Sequence, residues 1–270
     1  MIKKIFSLII GLVALSQPLV AQNDAAADGD SWIIYDRVAS DGMSLVVLAL
    51  KDNPQAQTLL QTGHATAVVC RADSVSYMGM PQDIARLYAL EDRIAADAAL
   101  RAAGAIHIAS VTGQDQRRIF VVHPNLLDLS PILDATPISG YSCAAEAVVD
   151  RLPLIQLVTP TAIDIQLAGD QSVIMNLEKN GDNGSAARKT DFWFYGPRAS
   201  LDKLAADLQT HGFSVDHLVT SPEGIVLSRE MLVTMATFRT LTPVLINAAQ
   251  NSGVQYDGWE TVVVQPSTQP

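Results

Sequence analysis

Asp191-Phe192-Trp193-Phe194-Tyr195-Gly196-Pro197 opens the stretch that decides the fold, and Gly253 followed by Tyr256-Asp257-Gly258-Trp259-Glu260 closes it. The first run is aromatic and suits a strand, and Gly196-Pro197 turns the chain. From Arg198 to His211, Leu201, Leu204, Ala205 and Leu208 share one helical face, and Gly212 caps that helix. Phe213–Val219 alternates as a strand, Ser221-Pro222-Glu223-Gly224 is a turn, and Ile225–Leu227 is the return strand. A second helix spans about Met235–Asn251, aligning Phe238, Leu241, Leu245 and Ala248, with Pro243 expected to kink it or to mark its start. Val254–Val264 is the last strand. The order βαββαβ predicts a ferredoxin-like sandwich, an antiparallel sheet with both helices on one face.

Within the closing motif, Asp257-Gly258 reads as a bulge or bend in the last strand. Trp259 is expected to bury its ring against the helices, with Tyr256 on the other side of the bend. The competing reading makes Tyr256, Asp257, Trp259 and Glu260 an exposed binding patch.

Outward from this segment, Asn180-Gly181-Asp182-Asn183-Gly184-Ser185 contains no apolar residue and reads as a linker, here bounded at 180–188. It separates an expected N-terminal α+β domain, 31–179, from the domain at 189–264. In the first, Trp32–Tyr35 and Met43–Leu50 form a hairpin, Ala65–Arg71 is a central strand, and Ala105–Val111 with Arg117–Val122 make a second hairpin. A long helix is expected from Gln82 to Ala103, and a short one around Leu126–Leu133. Ala144–Leu152 reads as helical, Ala162–Leu167 as a strand, and Ser172–Leu177 as either. The fold class is therefore α+β, with two α/β sandwich domains.

The long helix places Glu91 within its apolar stripe. A carboxylate there is either a functional group shifted by burial or half of a structural ion pair with Arg117 or Arg118. His107 and His123 fall on or beside the second hairpin, and Asp115 lies in its turn. These four residues, Glu91, His107, Asp115 and His123, are the candidates for a catalytic site assembled from distant positions. There is no Gly-x-Ser-x-Gly, Walker loop, dinucleotide fingerprint or metal-ligand spacing, so no cofactor and no metal is expected.

The chain carries 18 basic and 28 acidic residues in 270, a formal charge of −10. That surface repels nucleic-acid phosphates and anionic lipid, so nucleic acid is not an expected partner. Lys3-Lys4, the apolar run Ile5–Leu15, Pro18 and Ala21 read as an export signal over 1–21, followed by a polar leader over 22–30. Cleavage fits after Ala21 or Ala27, and an uncleaved anchor is the alternative. No stable membrane insertion is expected after cleavage, and the compartment expected is the periplasm. Cys70 and Cys143 would there meet an oxidising environment, as one disulfide or as two buried thiols. The tail, 265–270, is expected to be disordered.

The βαββαβ segment resembles the family of the regulator of ribonuclease E activity B. The resemblance rests on Asp191–Tyr195, on His211-Gly212-Phe213 and above all on Gly253 with Tyr256–Glu260. Residues 32–182 resemble domain-of-unknown-function family 695 through Met78-Gly79-Met80-Pro81, Leu90-Glu91-Asp92 and Leu177–Asp182. The resemblance implies a non-catalytic binding, regulatory or adaptor role toward a protein partner whose identity the sequence does not give. Two alternatives stand beside it: an envelope hydrolase using the N-terminal candidates, and an acidic structural envelope protein.

Overall fold

The computed structural model describes residues 31–75 and 79–264. The export segment, the polar leader and the tail lie outside the described residues. The chain builds an α+β architecture around two separate antiparallel sheets.

The first sheet has six strands in the order β1-β2-β4-β5-β3-β6. These are β1 (Ser31–Val38), β2 (Ser44–Lys51), β3 (His64–Ala72), β4 (Ile106–Gly113), β5 (Gln116–His123) and β6 (Tyr141–Ala147). β3, expected to be central, lies one strand in from the edge, between β5 and β6, and is buried on both faces, which explains its unbroken apolar middle. Ala65, Ala67 and Val69 join a core with α1 (Pro54–Thr62) and α5 (Arg151–Val158). Val68 and Cys70 join a second core with α2 (Ala85–Ala96), α3 (Ala98–Ala102) and Leu129, which precedes α4 (Ser130–Asp134). Cys70 and Cys143 lie directly opposite each other on β3 and β6 and form a disulfide.

Several elements differ from the sequence reading. The expected long helix is two helices, because Asp97 adopts an extended conformation and caps α3 through the N–H groups of Ala99 and Leu100. Residues 144–147 belong to edge strand β6 rather than a helix, and α5 begins only after the Asp150 cap. The helix α1 was not expected; Asn53 caps it, with Pro54 at its first position. Residues 162–179 form one helix, α6 (Ala162–Lys179), not a strand and a second element. Its start is a capping box in which Thr161 accepts from the Asp164 N–H and the Asp164 carboxylate accepts from the Thr161 N–H.

The second sheet has four strands in the order β10-β7-β9-β8, all antiparallel. They are β7 (Arg188–Tyr195), β8 (Ser214–Thr220), β9 (Glu223–Met231) and β10 (Gln255–Thr261). With α7 (Arg198–Gln209) and α8 (Met235–Ser252) they give the ferredoxin-like arrangement. Leu201, Leu204 and Leu208 of α7 and Phe238, Leu241 and Leu245 of α8 cover Phe192 and Phe194 on one face of the sheet. α8 runs through Pro243 and stops at Gly253, whose left-handed backbone (φ 66°) closes the helix.

α6 connects the two halves. Asp164 near its start holds Arg37 of β1 through two aligned bonds of 2.8 and 2.9 Å. Ile174 and Leu177 near its end enter the second core. Residues 180–187 connect α6 to β7, so the expected linker ends one residue earlier, at the start of the strand.

Candidate interaction face of the C-terminal domain

The closing motif on β10 is split by a bulge. In a regular strand, residues three apart point to opposite faces. The register between β10 and β7 shifts between Tyr256 and Gly258, so Tyr256 pairs with Phe194 and Trp259 with Phe192. Both rings therefore face the helices, Tyr256 from one side of the bend and Trp259 from the other. The Tyr256 ring sits 5.0 Å from Phe194, and Trp259 stacks on Phe238 at 4.4 Å.

Behind Trp259 lies Asp170 of α6, fully buried. Its carboxylate accepts from the Trp259 indole N–H (2.9 Å), the Thr242 hydroxyl (2.6 Å) and the Gln166 amide (2.9 Å). Burial raises the Asp170 carboxyl above its ordinary range, and the three hydrogen bonds partly oppose the shift. Burial, reinforced by Asp170, pushes the Tyr256 phenol well above its ordinary value. The indole N–H thus ties α6 to the sheet edge, and the Thr242 hydroxyl ties α8 to the same carboxylate.

The opposite face of the sheet carries no helix among the described residues. The register assigns it Asp191, Trp193 and Tyr195 of β7, Val226 of β9, His217 of β8, and Gly258 and Glu260 of β10. The Trp193 ring meets the edge of His217 at 5.7 Å, which places it over Val226. Tyr195 lies across Gly224, where an added Cβ would come within 2.7 Å of its ring. Lys189 sits between Asp216 (2.6 Å) and Asp191 (3.3 Å). Its pairing with Asp216 raises the ammonium and lowers that carboxyl. Asp257 projects from the bulge and is exposed, and burial nevertheless shifts its carboxyl upward. Burial, then Asp257 and Glu260, raise the Tyr195 phenol.

Of the N-terminal candidates, the structure joins Glu91 and His107. Ser110 donates to Glu91 (2.9 Å), and His107 Nε2 lies 3.0 Å from the Ser110 hydroxyl and 3.2 Å from the Ala109 carbonyl. A carbonyl only accepts, so this nitrogen carries the proton. It presents an N–H to Ser110 rather than a lone pair, and Ser110 is fully buried; that is not the geometry of an activated nucleophile. Arg117 completes the group, bonding Glu91 through Nε and Nη2, with Nη1 on Thr112 (2.5 Å). Burial lowers the His107 pKa, with Glu91 opposing. His123 is placed elsewhere, between the Asn125 carbonyl (2.6 Å) and the Thr66 hydroxyl (2.9 Å). Asp115 lies in the β4–β5 turn with φ 63°. It and His123 bracket β5, roughly 26 Å apart for an extended strand of that length. None of the four lines the cleft of about 820 Å³ that opens between α1, the end of β2 and the α5–α6 junction.

Two buried polar groups escaped the sequence reading. Asp170 falls between Leu167 and Ser172, a gap to which the sequence assigns no element. Asp182, in the linker, and Arg188, the first residue of β7, form a buried pair at 2.7 Å. Asp182 also accepts from the N–H groups of Gly184 (2.9 Å) and Val264 (2.8 Å). Burial opposes ionisation there, and these bonds together with Arg188 hold the carboxyl below its ordinary range. Neither had a local sequence signal: Asp170 lies between Gly169 and Gln171, and Asp182 lies within a run that contains no apolar residue.

Residues 168–261 match the family model described as Regulator of ribonuclease activity B. The match begins within α6, just before Asp170, and ends with β10. No curated protein matches the chain. No helix of the described residues is long and apolar enough to cross a membrane.

Proposed function

We propose that this chain is an exported, non-catalytic regulator or adaptor that acts by binding another protein through its C-terminal domain. The observation that carries the reading is the family match over 168–261, whose bounds enclose the sheet, both of its helices and the Asp170–Trp259 contact. The family's described role is regulatory, and an enzymatic role is not indicated. Export rests on Lys3-Lys4, the apolar run after them and Ala21. An exported chain does not meet a cytoplasmic ribonuclease, so the reading transfers the mode of action and not the target. The N-terminal half, with its likeness to domain-of-unknown-function family 695, belongs to the same reading as a companion domain joined through α6.

The test is isolation of the tagged full chain from its own cells after mild cross-linking, with N-terminal sequencing of the product. One protein recovered in fixed proportion, and a chain beginning at Gln22 or Asp28, are the expected results. A chain recovered alone, or one retaining Met1 in the cytoplasm, overturns the reading.

A further inference from the structure

On the uncovered sheet face, the β10 side of Trp193 is empty. Gly258 lies directly opposite Trp193, and a Cβ built on it meets nothing within 4 Å. Trp193 leans the other way, over Val226 toward His217. A notch is left with Gly258 as its floor and the Trp193 and Tyr195 rings along one side. Asp257 and Glu260 flank it, both close enough to Tyr195 to act on its phenol. Neither carboxylate enters an ion pair among the described residues, whereas Asp191 and Asp216 on the same face already share Lys189.

We infer that this notch receives an arginine side chain from a basic segment of the protein partner. The inference rests on the regulatory reading above and names the surface and the partner chemistry for it. A guanidinium fits both requirements, since it stacks on aromatic faces and bonds carboxylates in its own plane. Gly258 matters because any side chain there would fill the floor. The motif's outward residues then have a role separate from its inward ones. Lys189 shows the same chemistry within the chain, with a cation held between two carboxylates one row away. The net charge of −10 adds long-range attraction for a basic partner and repulsion for an acidic one.

The test uses the full mature chain and a fluorescent peptide of alternating arginine and serine, read by anisotropy at low and at moderate salt. Asp257→Asn with Glu260→Gln is expected to weaken binding roughly ten-fold or more. Trp193→Leu is expected to weaken it as well and to leave a smaller salt dependence than the carboxylate pair. Asp92→Asn with Asp134→Asn removes the same charge from the N-terminal half and is expected to change little. Failure of the unaltered chain to bind, or equal losses in the two charge-matched pairs, overturns the inference. The cross-linking experiment separates this failure from that of the functional reading. A partner that still binds the Asp257→Asn, Glu260→Gln chain refutes the notch and leaves the reading standing; a partner lost with those changes supports both. Absence of any partner for the unaltered chain refutes the reading itself.

Discussion

Replacing Asp170 tests what holds the closing motif in place. Asp170→Ala leaves the Trp259 indole N–H and the Thr242 hydroxyl without an acceptor, and both lie inside the packed layer between α6, α8 and β10. A buried donor left unpaired costs about 1–3 kcal/mol, so the two together predict a loss of about 2–6 kcal/mol. Gln166, nearer the surface, turns to water and adds little. Asp170→Asn keeps the shape and an acceptor for Trp259 and Gln166, while the Thr242 hydroxyl reverses to accept from the new amide. It also removes a buried charge, so the expected change is within about 1 kcal/mol of zero. Urea unfolding followed by tryptophan fluorescence, in a Trp32→Phe background that leaves the signal to Trp193 and Trp259, reads both values. The dependence on pH has a definite sign. Burial raises the folded-state pKa of Asp170 above the unfolded value near 3.8. The native state then binds its proton more tightly than the unfolded chain, so this group makes the protein more stable as pH falls through the folded value, with a plateau below the unfolded one. Asp170→Asn lacks that component. An alanine variant losing less than about 1 kcal/mol, or an asparagine variant as unstable as the alanine one, refutes the account.

The Glu91–Arg117 pair behaves differently from an exposed salt bridge: Arg117→Met strands a buried carboxylate and is expected to cost about 3–5 kcal/mol, whereas Glu91→Leu with Arg117→Met stays within about 1–2 kcal/mol of the unaltered chain, as a double-mutant cycle in urea measures. Cys143→Ser opens a loop whose ends are 73 residues apart, and the chain-entropy relation gives a loss of about 4 kcal/mol, matched by reductant acting on the unaltered chain and absent when reductant acts on the variant. Arg37→Ala removes the two bonds that tie β1 to the start of α6; the expected loss is about 1–3 kcal/mol, read by urea unfolding, with faster proteolysis between the two sheets.

The ferredoxin-like half was legible because its signals are local. Phe192 and Phe194 alternate with Trp193 and Tyr195, α7 and α8 each show a leucine or aromatic stripe, and glycine ends both helices. The first two hairpins and β3 were legible for the same reason. α6 was not, because its residues face two different cores. Asp164 and the capping box serve β1, Ile174 and Leu177 serve the second sheet, and no single apolar stripe runs its length. The capping signal was weak too, since Thr161 is followed at the third position by Asp rather than Glu or Gln. β6 was misread because an edge strand with alternate small residues has little periodicity to show. Asp97 broke the expected long helix through a cap that looks, in sequence, like any acidic residue on a helix surface. Among the site residues, Glu91 was recognisable from its place in an apolar stripe. Its partnership with Ser110 and His107 was not, because it depends on a bulge in β4 between His107 and Ala109.

A bulge also decides how the closing motif is used. Without the bulge at Asp257, the same residues would run as a regular strand, Tyr256 and Trp259 would point to opposite faces, and one large ring would leave the core. With it, both rings pack inward, and the strand sends Asp257 and Glu260 outward beside a glycine that keeps the space over Trp193 open. Packing and recognition therefore do not compete for the same side chains. The inward pair fixes the edge strand through Asp170 and Phe238, and that fixed edge is what gives the outward carboxylates a defined distance from Trp193 and Tyr195. A substitution at Trp259 should consequently weaken partner binding even though its ring packs on the helix side of the sheet, and it should do so in proportion to its effect on stability. Substitutions at Asp257 and Glu260 should weaken binding without that cost, and the difference between the two kinds of change separates a positioning role from a contact.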